Sequence, residues 1–193
     1  MRISREQVAE NRERLIRVAT DQFRQHGIDG IGVADLMKEA GMSLGSFYGY
    51  FDSKEHLVSE CCAYAVADVK GKITSAFSRS LTNPVEKTVD EYLSPAHRDE
   101  LAKGCGLAAL GSEFAHKTEA VHAAATPELI SLFDEMARSL PGSSRKKKRD
   151  HSIAMMASLM GGLILSRMTD DPKLSQDILE AVKSSVKSSV RAC

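Results

Sequence analysis

Cys105 is the side chain in this sequence with the clearest potential for covalent chemistry. It stands in the segment Lys103-Gly104-Cys105-Gly106-Leu107, where a predicted helix begins. The free N–H groups and the dipole of a helix N-terminus, with Lys103 nearby, favour the thiolate, which is the reactive form of cysteine. The other interpretation is a packing role, because a buried cysteine commonly serves as a small apolar side chain.

Four acidic and imidazole side chains on the same predicted helix raise the question of a metal site. They are Glu113, His116, Glu119 and His122, and each step from Glu to His spans three residues. In helical bundles that hold two metal ions, Glu-x-x-His motifs come from different helices, whereas these four progress around a single helix. We therefore expect solvated or ion-paired side chains, with His116 beside a pocket, and neither a metal nor a cofactor.

A cysteine-dependent hydrolase is one alternative function, with Cys105 as nucleophile and His116 or His122 as base. The sequence offers no third group to orient the base, no glycine-rich phosphate loop and no suitable acid pair. The chain is therefore expected not to be an enzyme. Cys61 and Cys62 lie on a predicted long helix, where a packing role is expected. The four cysteines lack the paired spacing of a disulfide or zinc framework.

Two short apolar stripes predict a pair of helices joined by a tight turn. The first stripe consists of Val33, Leu36, Met37 and Ala40, and the second repeats its spacing with Leu44, Phe47, Tyr48 and Phe51. Between them, Gly41 can adopt the left-handed conformation that ends a helix, and Ser43 can cap the next one. This arrangement predicts a helix-turn-helix, whose second helix fits the major groove of DNA.

The segment from Arg14 to Leu57 closely resembles the DNA-binding domain of the TetR family of bacterial repressors. The matches are Ala19, Phe23, Gly27, Ala40-Gly41, Gly45, Phe47-Tyr48, Tyr50-Phe51 and Ser53-Lys54-Glu55. So many matches in one order distinguish the segment from an ordinary helix corner. The resemblance implies a homodimeric repressor with a helix-turn-helix domain at residues 1–52 and a helical ligand-binding and dimerisation domain at residues 53–193.

The resemblance also implies which residues contact double-stranded operator DNA. The second short helix would face the groove with its N-terminus, Tyr48 and Tyr50 would donate hydroxyls to phosphates, and Lys54 would meet a further phosphate. For either tyrosine, packing in the core is the alternative, and Phe47 and Phe51 are assigned to the core outright. The expected DNA contacts are Arg14, Ser43, Leu44, Gly45, Ser46, Tyr48, Tyr50 and Lys54.

Two departures from the family pattern concern DNA recognition. Ile31-Gly32 stand where members usually carry Thr or Ser, so a hydroxyl cap is missing at the first short helix. The reading helix offers none of the Arg, Lys, Asn or Gln side chains that most often read base edges. Specificity would then depend on Ser, Leu and Tyr contacts, the N-terminal arginines and DNA shape. A helical adaptor that has lost DNA binding is therefore a second alternative.

Charge and hydropathy restrict where the chain acts. Its 193 residues include 26 basic and 26 acidic side chains, so DNA binding must come from charge placed locally. The first 25 residues are polar and show no signal peptide. The longest apolar run, residues 153–165, is too short to span a bilayer. We expect a cytoplasmic protein without a membrane partner.

Prolines mark the expected helix starts of an all-α fold. Four of them follow residues of the capping type, in Asn83-Pro84, Ser94-Pro95, Thr126-Pro127 and Asp171-Pro172. No segment alternates with period two, so strands are not expected. The expected helices are 5–26, the two short ones, a long one from an Asp52/Glu55 capping box to about Phe77, and those near 84–93, 95–101, 105–123, 127–140, 148–168 and 173–191.

The resemblance places an apolar pocket for a small-molecule inducer in the body. Filling it would push the long helix that begins near Ser53 and spread two DNA-binding heads apart. The pattern Gly-Cys-x-Leu-Ala-x-Leu at residues 104–110 recurs in a branch of the family in which some members sense electrophiles or oxidants, so modification of Cys105 is one route. The candidate pocket residues are Cys61, Tyr64, Cys105, Leu110, Phe114, Phe133 and Met136.

The last two long helices, about 148–168 and 173–191, are expected to pair with those of a second subunit. Their apolar surface exceeds what a helix beside a small body needs, and Gly161-Gly162 allows close approach; an ordinary buried helix is the alternative. A twofold dimer requires a near-palindromic operator. The basic run 145–149 is expected in a loop or at a frayed helix start, solvated in either case. The apolar positions are Met155, Met156, Leu159, Met160, Leu163 and Ile164.

Overall fold

The computed structural model describes residues 4–79, 82–142 and 144–191, which leaves Cys193 outside the described residues. Within these ranges there are nine α-helices, one 3-10 helix and no strand, which confirms the predicted all-α class. The elements are α1 (Arg5–His26), α2 (Val33–Glu39), the 3-10 helix (Leu44–Gly49), α3 (Lys54–Arg79), α4 (Pro84–Tyr92), α5 (Pro95–Asp99), α6 (Gly106–Ala115), α7 (Glu119–Ser139), α8 (Arg145–Arg167) and α9 (Pro172–Arg191).

The first three helical elements form a head with its own apolar centre. Large apolar side chains from all three elements are buried in this centre: Phe23 of α1, Leu36 of α2, and Phe47 and Phe51 in and after the 3-10 helix. Gly41 ends α2 with a φ of 67°, the left-handed conformation predicted for it. The N–H of Met42 then donates to the carbonyl of Met37 at 2.8 Å, which closes the turn before the 3-10 helix.

Helix α3 connects the head to the body. Its 26 residues extend about 40 Å at 1.5 Å per residue. The N-terminal part packs on α1 and the rest lies along α7, with further contacts to α4 and α6. Helices α8 and α9 pack on each other at the other side of the body. A displacement of α3 is therefore felt in both the head and the body.

Helix α3 begins two residues later than the sequence predicts and has a different cap. The expected capping box of Asp52 and Glu55 is not formed. Instead, the Ser53 hydroxyl accepts a hydrogen bond from the backbone N–H of His56 at 3.0 Å. Ser53 precedes a helix that starts at Lys54, so its hydroxyl is the one in reach of the free N–H groups of the first turn.

The body differs from prediction around Pro127. The expected helix 105–123 ends at Ala115, and α7 begins at Glu119 and continues through Pro127, which was expected to start a helix. An internal proline removes one helix hydrogen bond and costs about 3 kcal/mol. Packing outweighs this cost here, because one buried stripe runs through the proline. The stripe consists of Val121, Ala125, Leu132 and Met136.

The basic run lies at the start of a helix, the second of its two expected positions. Arg145 begins α8, and the hydroxyl of Ser144 accepts a hydrogen bond from the N–H of Lys147 at 3.4 Å. Long basic side chains at the start of a helix oppose its dipole. Arg149 is offset by Asp134 of α7, at 3.2 Å between nitrogen and oxygen. The end of the run thus contacts α7, while Arg145, Lys146 and Lys147 are exposed to solvent.

Two glycines in opposite surroundings give a matched test of this packing. An added Cβ at Gly71, inside α3, would meet nothing within 4 Å, whereas at Gly106 it would meet the Ala65 Cβ at 2.9 Å and the Arg24 guanidinium at 3.1 Å. We expect Gly71→Ala to raise the free energy of unfolding by about 0.5–1 kcal/mol through helix propensity. Gly106→Ala should lower it by about 1–3 kcal/mol through overpacking.

Urea unfolding followed by circular dichroism measures both changes against the unsubstituted chain. Stabilisation by both substitutions would contradict the close approach of α1, α3 and α6 at Gly106. Destabilisation by both would contradict the open surroundings of Gly71.

Candidate functional site

The N-terminal end of the 3-10 helix is an exposed surface of the head. Ser43, Leu44 and Gly45 are exposed there, and an added Cβ at Gly45 would meet nothing within 4 Å. Tyr48 is 76% exposed, while Phe47 is buried in the core as predicted. The surface therefore combines free backbone, short hydroxyl side chains and a phenol, all accessible from outside the head.

The second predicted apolar stripe does not form a single buried face. Leu44 and Tyr48 are exposed, whereas Phe47 and Phe51 are buried. A 3-10 helix has three residues per turn, so the α-helical spacing on which the prediction rested no longer marks one face. The side chain of Ser43 does not form the predicted capping hydrogen bond. Instead, the backbone carbonyl of Ser43 accepts a hydrogen bond from the hydroxyl of Ser46 at 2.7 Å.

Asn11 of α1 connects two of the predicted DNA contacts to the first helix. Its side-chain amide donates to the hydroxyl of Tyr50 at 3.2 Å, and its amide oxygen accepts from the guanidinium of Arg14 at 3.2 Å. Tyr50 is half-buried and Arg14 is exposed. Both predicted contacts thus lie at the surface of α1 and the 3-10 helix, while the contact of either with DNA stays a prediction.

Lys54 has a structural role that the sequence analysis missed. Its ammonium donates to the carbonyl of Ile28 at 2.6 Å and to the carbonyl of Ile31 at 2.7 Å. Both carbonyls belong to the loop between α1 and α2, so Lys54 fixes this loop against the start of α3. An ammonium has three N–H groups. One donor therefore remains for the predicted phosphate contact.

The body holds the same loop from its other side. The carboxylate of Glu113, on α6, accepts a hydrogen bond from the N–H of Ile28 at 2.7 Å. Lys117 donates to both carboxylate oxygens of Asp29 at 3.0 Å, and this hydrogen bond lowers the pKa of Asp29. The end of α6 and the residues that follow it are thus bound directly to the head.

Glu113 is therefore bound to a backbone N–H of the head, and the expectation of a solvated or ion-paired side chain is wrong for this residue. His116 and His122 are exposed, and the ring of His122 is bonded to the carbonyl of Phe114 at 3.1 Å. Across residues 4–79, 82–142 and 144–191, no three side chains of the metal-binding types lie together.

Arg24 joins α1 to the body through a buried guanidinium. It pairs with Asp21 at 3.0 Å and with Asp68 of α3 at 3.2 Å, and it donates to the carbonyl of Ala102 at 3.3 Å. A buried charge is tolerated only when it is paired and hydrogen-bonded, and these three contacts meet that need. Since Gly106 lies against the same guanidinium, the first turn of α6 packs directly on α1.

A cavity of about 500 Å³ lies between α3, α4 and the segment that leads into α6. This volume falls within the range typical of small-molecule sites. Its inner wall is formed by Val69, Ile73 and Ala76 of α3, together with Tyr92, His97 and Cys105. The charged side chains Asp68, Lys72, Arg79, Glu91 and Lys103 complete the lining.

The structure brings only Cys105 of the seven predicted pocket residues to this cavity. Cys61, Leu110, Phe114 and Met136 are buried in the core. Tyr64 lies on the side of α3 that faces α1, near Arg14 and Arg17, and Phe133 is half-buried on α7. The cavity is lined mainly by the second half of α3, from Asp68 to Arg79, and is completed by α4, by His97 and by the segment that leads into α6. The prediction took residues from the first half of α3 and from α6 and α7 instead.

His97 fixes the geometry of the cavity floor, the part of the lining formed by Thr88, Tyr92, His97 and Cys105. Its Nδ1 is 2.7 Å from the carbonyl of Tyr92, and its Nε2 accepts a hydrogen bond from the backbone N–H of Cys105 at 3.0 Å. This pattern requires a neutral ring with its proton on Nδ1. Burial lowers the pKa of His97, in agreement with a neutral ring. Neither nitrogen is left to act as a base toward the thiol of Cys105.

Cys105 occupies the N-cap position of α6, as the sequence predicts. Its sulfur accepts a hydrogen bond from the N–H of Ala108 at 3.5 Å, and the residue is 3% exposed. The other described cysteines are packing residues: burial raises the pKa of Cys61 to about 12 and that of Cys62 to about 11. Cys105 is thus the described cysteine that lies both at a helix N-terminus and in the cavity wall.

Helices α8 and α9 distribute their apolar residues between an inner and an outer face. Met155, Met156, Leu159 and Leu163, which were expected to form a subunit interface, are buried within the monomer. They face the other helices of the body, so their number says nothing about a partner. The outer face carries a different set of large apolar side chains: Ile153, Ile164, Leu165, Met168 and Leu174.

The two glycines of α8 also have different surroundings. A Cβ added at Gly162 would meet the side chain of Val182 of α9 at 3.1 Å, whereas one added at Gly161 would meet nothing within 4 Å. In the part of the chain that the structure describes, no helix has the length and apolarity of a membrane span.

Comparison with known proteins places the head in a family. Residues 15–61 match the family model for bacterial regulatory proteins of the tetR family. The chain is 27% identical over 164 residues to the HTH-type transcriptional regulator LmrA of Bacillus subtilis (strain 168), an alignment that covers 81% of this chain and 86% of LmrA. It is 24% identical to the HTH-type transcriptional repressor DhaR of Mycobacterium sp. (strain GP1), over 66% of this chain and 62% of DhaR.

Solved structures share the fold. The crystal structure of reduced NemR from E. coli superposes with a TM-score of 0.74 at 19% identity, over 93% of this chain and 97% of NemR. A TetR-family regulator from Agrobacterium tumefaciens gives a TM-score of 0.70 at 16% identity, over 92% of this chain and 98% of its own. Both relatives are named as HTH-type transcriptional regulators, and DhaR is named as a repressor. The head of this chain thus matches the model of the tetR family, and the whole chain shares the fold of solved TetR-family regulators.

Proposed function

We propose that the chain is a repressor that binds a near-palindromic operator as a homodimer and is released by a small-molecule inducer. The head, residues 1–52, contacts DNA, and the body, residues 53–193, provides the cavity and the subunit interface. The observation that carries the proposal is the exposed N-terminal end of the 3-10 helix, with its free hydroxyls and backbone.

The chemistry of this surface suits phosphate contacts. Hydroxyl side chains and helix N-termini bind phosphate oxygens without carrying a full charge. This agrees with a chain whose basic and acidic residues balance at 26 each. Tyr48 presents its hydroxyl beyond the surface of the head, and Arg14 adds a positive charge on the neighbouring α1. Leu44 supplies apolar contact to base edges.

Removing the Tyr48 hydroxyl tests this surface. We expect Tyr48→Phe to weaken operator binding about threefold to tenfold, the effect of losing one hydrogen bond. The exposed phenol makes no contribution to the core, so the fold should be unchanged. Fluorescence anisotropy on DNA from upstream of the chain's own gene measures the affinity.

Tyr64→Phe is the matched control, because it removes a phenol hydroxyl from the middle of α3, outside the surface at the 3-10 helix, and it should leave the affinity unaltered. Equal effects of both substitutions would refute a contact at Tyr48. If the unsubstituted protein binds no upstream fragment at low salt, the adaptor alternative replaces the repressor.

The outer face of α8 and α9 supports dimerisation. Its exposed apolar side chains lie together near the end of α8 and the start of α9. Gly161 leaves room on this face for close approach of another helix. Regulators of this family act as dimers, and a twofold axis here would set the spacing of the two reading surfaces.

A charge on this face should separate the subunits. We expect Leu165→Glu, at a residue 52% exposed in the monomer, to shift the protein from dimer to monomer with at least a tenfold higher dissociation constant. Ile130→Glu, at a residue 48% exposed on α7, should remain dimeric. Sedimentation velocity distinguishes the two states. A Leu165→Glu protein that sediments as a dimer would place the interface elsewhere.

The inducer response follows from how the cavity is connected to the head. One wall is α3, whose first residue, Lys54, holds the α1–α2 loop. The floor leads into α6, which holds the same loop through Glu113. A ligand that binds more tightly when α3 and α6 are displaced shifts the equilibrium toward that displaced state. The shift in free energy equals the difference between its binding free energies for the two states and cannot exceed it.

Covalent modification of Cys105 is one route to the same displacement. The thiolate adds to the β-carbon of an α,β-unsaturated carbonyl compound; a C–S bond forms, the π electrons move to the carbonyl, and water protonates the resulting enolate. The adduct would lie where Cys105 caps α6, a 3% exposed position in the cavity wall, and it would take away the sulfur that accepts from the N–H of Ala108. Displacement of α6 would disturb its packing on Arg24.

Treatment of the protein–operator complex with N-ethylmaleimide tests the covalent route. We expect the reagent to weaken operator binding at least tenfold in the unsubstituted protein and to leave Cys105→Ser unaffected. Serine keeps the capping function at the N-terminus of α6, and this variant retains the other cysteines. Release that persists in Cys105→Ser would assign the effect to another thiol. Indifference of both proteins would leave a noncovalent ligand as the inducer.

A further inference from the structure

Tyr92 carries a buried hydroxyl whose polar neighbour is the thiol of Cys105, a weak hydrogen-bonding group. Among the buried side-chain nitrogen and oxygen atoms of the described residues, only Tyr92 Oη and Arg24 Nε lack a hydrogen-bond partner. Arg24 satisfies its other donors with Asp21, Asp68 and Ala102. Tyr92 has a single side-chain polar atom, and that atom lies in a residue of the cavity wall. A buried hydroxyl without a partner costs free energy, which a suitable ligand would recover.

The hydroxyl is available as a donor. The pKa of Tyr92 is raised, mainly by burial and to a lesser extent by Cys105, so the phenol keeps its proton. The neighbouring polar groups of the floor are already occupied. His97 uses both ring nitrogens, and the hydroxyl of Thr88 donates to the carbonyl of Pro84 at 2.9 Å. The floor therefore holds one phenolic O–H without a strong acceptor; the oxygen is covered in this structure, so a ligand reaches it by displacing the side chains around it.

The rest of the cavity favours an uncharged ligand at this end. The inner wall beside Tyr92 consists of the apolar side chains Val69, Ile73 and Ala76. Two pairs of charges in the lining satisfy each other: Lys72 with Asp68 at 2.8 Å, and Arg79 with Glu91 at 3.4 Å. His97 is held neutral by its two hydrogen bonds. Lys103, the remaining charged residue of the lining, is exposed to solvent, so no charged group lies beside Tyr92 in the buried part of the wall.

We propose that this floor is a carbonyl subsite: it binds uncharged apolar small molecules whose carbonyl oxygen accepts a hydrogen bond from Tyr92. The assignment rests on the proposed ligand cavity and specifies what the cavity recognises. The apolar part of the ligand lies along α3, and the carbonyl oxygen points to α4 and the N-cap of α6. Binding is noncovalent and does not require Cys105 to react.

Two probes that differ at the carbonyl test the subsite directly. Equilibrium dialysis gives the Kd of 2-acetylnaphthalene, an aromatic ketone, and of 2-ethylnaphthalene, which has nearly the same shape without the oxygen. We expect the unsubstituted protein to bind the ketone about fivefold to tenfold more tightly than the hydrocarbon. Tyr92→Phe should lose this preference and bind both probes alike.

Controls separate loss of the hydroxyl from loss of structure. Tyr64→Phe, which removes a phenol hydroxyl outside the cavity, should keep the preference for the ketone. Thermal unfolding of Tyr92→Phe should occur at the same or a higher temperature, because the substitution removes an unsatisfied buried group. A preference that survives in Tyr92→Phe, or that is absent from the unsubstituted protein, would overturn the subsite.

The outcome for the subsite is independent of the outcome for the repressor. The dialysis measurements contain no DNA, so a ketone preference that depends on Tyr92 supports the subsite whether or not the ketone releases the operator. Failure of the ketone to release the operator would count against the inducer response alone. Release by both probes, with equal Kd values in the unsubstituted protein and in Tyr92→Phe, would count against the subsite alone.

Discussion

The backbone of Ile28 holds the head in its position relative to the body. Its N–H donates to Glu113 of α6, and its carbonyl accepts from Lys54 of α3. A carboxylate and an ammonium from two different helices therefore hold one residue of the α1–α2 loop. Charge-assisted hydrogen bonds are shorter and stronger than neutral ones. The loop sets the direction in which α2 leaves α1, so both helices must keep their positions for the head to keep its own.

Arg24 adds a second connection with a different physical basis. Its guanidinium is buried, so the cost of removing it from water is recovered only while Asp21, Asp68 and the carbonyl of Ala102 stay in place. Separating α1 from α3 or α6 leaves that charge without partners. The head is thus bound to the body by contacts that are made together or lost together. Such all-or-none coupling allows a small displacement near the cavity to reach the DNA-binding surface.

The sequence contains enough information for the head and for the class of the fold. Local signals were sufficient there: the stripe from Val33 to Ala40, the left-handed Gly41 and the burial of Phe47 and Phe51 all follow from neighbouring residues. Prediction failed where distant residues decide. Pro127 resembles a helix start, yet packing on the body keeps it inside α7. The partner of Glu113 is 85 residues away along the chain, so its role could not be read from spacing. The cavity arises where α4, α5 and α6 meet α3, and its lining followed no periodic pattern.

The double use of the His97 ring has a consequence for behaviour in acid. Protonation would place a second N–H opposite the backbone N–H of Cys105 and remove the acceptor that holds it. Because burial lowers the pKa of this histidine below its ordinary value of 6.5, the unfolded chain takes up a proton near that pH while the folded chain does not. The contribution of the ring to stability is complete at higher pH and declines as the pH falls through this interval. A mildly acidic medium would therefore loosen the segment between α4 and α6 before the apolar centre of the head, which contains no comparable group.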